Sequence, residues 1–134
     1  MTVVVDASIA LKWVLPEAGS ASAAALRAAD SALIAPTLVM AEIGNALWKK
    51  TMRKEIDRHE AVSALRLALS HFAEFFPLDD LRETALELAI ALRQPIYDCF
   101  YVALAQRERC ALVTADPRLL NAAEGVTGLE VRAL

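Results

Sequence analysis

The chain has 134 residues, of which 57% are hydrophobic and 23% charged, and its formal net charge at pH 7 is −3. That length holds one domain with a core of its own, and only 4 glycines and 5 prolines argue against a low-complexity tail. The negative balance excludes a global electrostatic pull toward nucleic acid, so contact with a polyanion requires a local basic patch.

Taken in order, Thr2-Val3-Val4-Val5 reads as a short strand buried on both faces, ended by Asp6. A helical run follows through Ile9, Ala10, Leu11, Trp13 and Val14, then a turn over Leu15 to Ser20. Ser20 is placed as the N-cap of an alanine-rich helix from Ala21 to about Asp30. Ala32 to Ala35 reads as a second strand stopped at Pro36, and Thr37 as the cap of a helix from Leu38 to about Met52. Lys54 to Asp57 is a connection, and Arg58 to Phe72 an amphipathic helix with Val62, Leu65, Leu69 and Phe72 at helical spacing. Ala73 to Leu78 holds a third strand, and Asp79-Asp80 is read as the cap of a helix from Leu81 to Leu92. After a break at Gln94-Pro95-Ile96 comes a helix from Tyr97 to Arg107, a strand over Cys110 to Val113, and a short helix opened by Asp116 and Pro117. Leu129 to Val131 is a last strand. Short apolar strands alternating with helices predict a three-layer α/β/α domain, rich in helix, around a short and mostly parallel sheet.

Cys99 and Cys110 fit buried free thiols in a reducing compartment, and no metal-type Cys/His spacing is present. The N-terminus lacks a basic leader, and no run reaches about 18 uninterrupted apolar residues. The expectation is a cytoplasmic protein without a membrane span. His59 and His71 lie on one predicted helix away from the acidic stretches and are expected at the surface.

Four carboxylates stand out. Asp6 and Asp116 each follow a buried strand, so parallel pairing brings both to one sheet edge, where open α/β sheets bind ligands. Asp98 opens the helix after the Pro95 break, and Glu42 lies within an otherwise apolar helical stretch. Asp6 could equally serve a turn, and Asp98 and Asp116 could simply cap helices; Glu42 must be solvated, paired or functional. Carboxylates gathered within a few ångströms repel one another unless a cation or a proton intervenes. Oxygen ligands without nearby His or Cys suit Mg²⁺ or Mn²⁺, and such ions serve phosphodiester hydrolysis. Ser8 and Thr114, two residues from Asp6 and Asp116, are placed to orient a carboxylate or to satisfy local backbone.

Five of the 14 basic residues fall between Lys49 and Arg58. Lys49 and Arg53 follow Glu42 by seven and eleven positions, on one helical face with Asn45 nearby. This forms either a stripe carrying a polyanion toward the acids or a solvated helix end favoured by the dipole.

With these residues in place, the sequence resembles the PIN-domain ribonucleases of the VapC toxin family. The resemblance rests on Val4-Val5-Asp6-Ala7-Ser8, Ala41 to Leu47, Tyr97 to Ala105, and Leu112-Val113-Thr114-Ala115-Asp116, in order over essentially the whole chain. Lys12-Trp13 and Pro16-Glu17 match a subset of these toxins. It implies a single PIN domain over residues 1–134 and a metal-dependent endoribonuclease, with Mg²⁺ or Mn²⁺ held by Asp6, Glu42, Asp98 and Asp116. Asn45 and Thr114 match supporting positions. It further implies a structured RNA substrate such as tRNA, a VapB-type antitoxin partner, a homodimer, and operator DNA bound only through the antitoxin. Some members carry a further acid after the last motif; here Arg118, Leu119 and Leu120 fill that stretch. Two alternatives stand beside it: a phosphatase with Asp6 as nucleophile, which Ser8 fits poorly, and a catalytically inactive RNA- or protein-binding module.

Overall fold

The structure, a computed structural model, describes all 134 residues. Five strands form one parallel sheet: β1 (Thr2–Val5), β2 (Ala32–Pro36), β3 (Glu74–Phe76), β4 (Ala111–Thr114) and β5 (Val131–Ala133), in the spatial order β3-β2-β1-β4-β5. Seven helices surround it: α1 (Ala7–Val14), α2 (Ser20–Ala28), α3 (Leu38–Met52), α4 (Arg58–Ser70), α5 (Arg82–Leu92), α6 (Ile96–Glu108) and α7 (Pro117–Ala123). The three-layer α/β/α expectation is met.

The first strand made is the centre of the sheet. Val3, Val4 and Val5 are 0–2% exposed and pair with β2 on one side and β4 on the other. Fully burying a side chain of that kind contributes roughly 1.5–3 kcal/mol. Successive strands step outward through β2 to β3, and the order then reverses to β4 on the other side of β1. The β1–β4 crevice is therefore the topological switch point, with every strand's carboxyl end on the same edge. Val5 pairs with Val113, so Asp6 and Thr114 leave the sheet side by side.

Helix α6 is the most enclosed. Every residue from Cys99 to Ala105 is buried, as expected of a helix apolar all round. It packs on β1, β2, β4 and α5, which holds its first turn against the sheet edge. In α3, Val39, Ile43 and Leu47 repeat every four residues and face the core, which leaves Glu42 at the margin of the buried stripe. Both cysteines are free, and burial pushes the Cys99 thiol up to about 11.

Several boundaries differ from expectation. Gly19, not Ser20, occupies the N-cap of α2, at φ +86°, where an added Cβ would also meet Leu134 and Lys12. The Ser20 hydroxyl instead closes the preceding turn, donating to the Glu17 carbonyl and accepting from the Glu17 N–H. Thr37 stands at the N-cap of α3 but makes no side-chain cap bond. Asp79 and Asp80 do not cap α5; they lie in a 3₁₀ turn over Leu78–Asp80, and Leu81 takes the cap position. Asp57 and Glu60 form a reciprocal capping box at α4 that the D-x-x-E spacing carries. The last strand lies two residues later than expected. His71 is no free surface residue: its ring meets Trp13 edge-on at 5.5 Å and its Nε2 has no hydrogen-bond partner.

Candidate active site

Asp6 ends β1 and caps α1, its side chain accepting from the Ile9 N–H. The residue is 6% exposed, and both of its carboxylate oxygens accept hydrogen bonds. Oδ1 accepts from the Ser8 hydroxyl at 2.5 Å and the Ile9 N–H at 3.3 Å, while Oδ2 accepts from the Thr114 hydroxyl at 2.5 Å. The two hydroxyls are themselves fixed: Ser8 Oγ accepts from the Ala115 N–H at 3.2 Å, and Thr114 Oγ1 from the Asp116 N–H at 3.0 Å. Two backbone donors of the β4 loop are thus relayed through two hydroxyls onto one carboxylate of β1. Burial is the main influence on Asp6 and raises its pKa; the Ser8, Thr114 and Ile9 hydrogen bonds oppose it, and the charge of Asp116 adds to it.

Glu42 projects from α3 and is half-buried. The Tyr101 hydroxyl, one turn beyond Asp98 on α6, donates to Glu42 Oε1 at 2.5 Å. Burial raises the Glu42 pKa, the Tyr101 bond lowers it, and the charges of Asp6 and Asp98 raise it further. Burial and the Glu42 charge push the Tyr101 phenol well above its usual range, so it stays a donor.

Asp98 lies in the first turn of α6, but Pro95 holds the cap position; capping is therefore not its role. Burial raises its pKa, Arg118 lowers it, and Asp116 raises it. Asp116 caps α7 by accepting from the Arg118 N–H at 2.9 Å. One guanidinium nitrogen of Arg118 lies 3.3 Å from Asp98 and 3.6 Å from Asp116.

The four acids therefore converge: each lies close enough to another for its charge to be felt, in the pairs Asp6–Asp116, Glu42–Asp6, Glu42–Asp98 and Asp98–Asp116. They do not close into a cage. No three His, Cys, Asp or Glu side chains are grouped tightly enough to hold a metal ion as they stand. The carboxylates are engaged by local donors instead: Asp6 by two hydroxyls, Glu42 by Tyr101, and Asp98 and Asp116 by the shared Arg118. The donor set itself fits a hard cation, being oxygen throughout, with burial leaving negative charge undercompensated.

Other expected site residues stand further off. Asn45 is exposed and hydrogen-bonds to none of the acids. Lys49 and Arg53 are exposed; Lys49 is in the last turn of α3 and Arg53 its C-cap. They stand roughly 10 and 16 Å beyond Glu42 along the helix axis. Lys12 and Trp13 buttress the start of α2 instead: Lys12 donates to the Ala18 carbonyl at 2.7 Å and pairs with Glu17, and Trp13 Nε1 donates to the Ala23 carbonyl at 2.9 Å. Tyr101 and Arg118 were not among the expected site residues. The three-residue step from Asp98 and the two-residue step from Asp116 were the available signals.

Residues 3–125 match the family described as PIN domain. The VapC ribonuclease Mb0985 of Mycobacterium bovis is 38% identical over 121 residues, 87% of either chain. Exonuclease VapC9 of Pyrobaculum aerophilum is 34% identical over 95 residues, 69% of this chain and 68% of that one. VapBC2 from Rickettsia felis, bound to a DNA fragment from its promoter, shares the fold with a TM-score of 0.72 at 16% identity, over 100% of this chain and 99% of that one.

Proposed function

The chain belongs to the PIN-domain family, among the VapC ribonucleases, and from that membership we propose that it is the toxic nuclease of a toxin–antitoxin pair. Its reaction is Mg²⁺- or Mn²⁺-dependent endonucleolytic hydrolysis of RNA, with tRNA or another structured RNA as substrate. The observation that carries this reading is the meeting of Asp6, Glu42, Asp98 and Asp116 at the carboxyl edge of the sheet. Three of these acids are raised above their ordinary pKa, and burial comes first each time.

A hard divalent cation, when bound, supplies Lewis acidity to a phosphoryl oxygen and charge neutralisation for the leaving oxygen. The chain's own residues do the rest. Asp6 and Asp98 are the principal ligands, Glu42 and Asp116 complete the set, and all four are oxygen donors suited to such an ion. Ser8 and Thr114 orient Asp6 so that its position does not depend on the ligand it takes. Tyr101 does the same for Glu42. Lys49 and Arg53 guide the RNA backbone along α3. A VapB-type antitoxin covers the site, a homodimer forms, operator DNA is bound only through the antitoxin, and the setting is the cytoplasm. No helix is long and apolar enough to cross a membrane. No feature of the site favours the inactive-module alternative.

The test is RNA cleavage with Mn²⁺ by wild type beside Asp6→Asn, together with growth on induction of each. Loss of cleavage and of growth arrest in a folded Asp6→Asn protein is expected. Full cleavage by that variant would remove Asp6 from the site.

A further inference from the structure

Arg118 is the only lysine or arginine in contact with the four acids, and its contacts are unusual. A single guanidinium nitrogen is shared between Asp98 at 3.3 Å and Asp116 at 3.6 Å. It forms no two-pronged pair with either carboxylate, so most of the five N–H donors of the fork remain unused. The side chain is 62% exposed, against 16% for Asp98. Such an exposed, one-pronged ion pair is weak. The root of the side chain is fixed all the same, because the Arg118 N–H donates to Asp116 Oδ1. The guanidinium is thus tethered at the rim and only lightly held there.

We propose that Arg118 is a phosphate ligand of the nuclease site, parked on Asp98 and Asp116 in the metal-free protein and passed to the RNA backbone once those carboxylates are committed to a cation. The proposal rests on the nuclease reading given above. A carboxylate shared with a divalent cation attracts a guanidinium less, and the added positive charge repels it. The freed fork then faces outward beside the acids, where its geometry matches a phosphate in two-pronged fashion. Lys49 and Arg53 cannot take this part, since they lie a helical turn or more from the acids. An arginine beside the reacting phosphate also adds charge stabilisation in the transition state. Arg118 therefore works in opposite directions on the two ligands: it competes for the carboxylates that take the cation and assists the RNA that follows.

That opposition defines the test. Full-length wild type, Arg118→Ala and Arg118→Lys are titrated with Mn²⁺ by calorimetry without RNA, then with a fluorescein-labelled phosphorothioate RNA oligomer in saturating Mn²⁺. Arg118→Ala is expected to bind Mn²⁺ about fivefold more tightly, because the carboxylates lose their resident counter-ion. The same variant is expected to bind the oligomer about tenfold more weakly, having lost a charge-assisted fork. Arg118→Lys, with the charge but not the fork, recovers only part of the oligomer binding. A merely structural arginine would weaken both ligands together on removal, and that result overturns the proposal. So does an Arg118→Ala protein that matches wild type in both titrations. If wild type itself takes up no Mn²⁺ and hydrolyses no RNA, the nuclease reading fails and the proposal with it, a result distinct from either of the others.

Discussion

Replacing Glu42 by glutamine removes one charge while keeping an acceptor for the Tyr101 hydroxyl, so it isolates the electrostatic cost of the acidic cluster. Glu42 titrates at 4.5 as an unperturbed group and higher in the folded protein, chiefly from burial, with Asp6 and Asp98 adding to it against the Tyr101 bond. Between 4.5 and that raised value the folded protein binds more protons than the unfolded chain. Metal-free stability therefore falls as pH rises through the window, and the penalty is complete at neutral pH. A tenfold change in proton affinity corresponds to about 1.4 kcal/mol. Glu42 is only half-buried, and solvent screening brings the penalty below about 1 kcal/mol. In a chain of this size that is an increase in Tm of about 2–4 °C for Glu42→Gln. Calorimetry in EDTA at pH 7 should show the increase, and at pH 4 it should shrink toward zero. In Mn²⁺ the order reverses, since a ligand at a hundredfold excess over its Kd stabilises wild type by about 2.7 kcal/mol. A lower Tm for Glu42→Gln in EDTA at pH 7, or a difference independent of pH, would refute the reasoning.

The other substitutions probe the supports of the site. Thr114→Val keeps the shape but leaves Asp6 Oδ2 without its donor and the Asp116 N–H without its acceptor. A loss of about 1–3 kcal/mol in urea unfolding is expected, and a change under about 0.5 kcal/mol would show that the clamp contributes little. Lys49→Glu combined with Arg53→Glu should raise KM for RNA and reduce the slope of log affinity against log salt by about 1.4, as for two single-strand phosphate contacts. Mn²⁺ affinity should be unchanged, and wild-type cleavage rates at moderate salt would remove the stripe.

The frame of the molecule is written locally. Three consecutive valines with no polar alternation require a strand covered on both faces, and β1 is the centre of the sheet. The seven enclosed residues of α6 follow from an unbroken apolar run. Asp6 and Asp116 are recognisable because each follows such a strand, and each caps the helix that comes next. What escapes is tertiary in origin. Tyr101 sits inside the apolar run of α6 and reads as core; that its hydroxyl finds Glu42, 59 residues away, depends on how α3 and α6 pack. Arg118 reads as the absence of an acid until the fold lays it across Asp98 and Asp116. Serine is a favoured N-cap, so Ser20 draws the eye as the cap of α2, but the tight turn after Pro16 requires a left-handed residue, which Gly19 supplies without strain. Asn45 follows Glu42 by three positions, a spacing that turns the side chain about a sixth of a turn away, and it is exposed.

The bond from Thr114 to Asp6 spans 108 positions of sequence. Domains fold as units, and Asp6, at the end of the central strand, gains the donor to its Oδ2 only when β4 docks beside β1. Neither the Thr114 hydroxyl nor the Asp116 carboxylate exists until translation has passed β4. A chain cut short before β4 has neither the Oδ2 donor of Asp6 nor the carboxylate of Asp116. Docking of β4 beside β1 therefore completes the sheet and the acidic edge in one step.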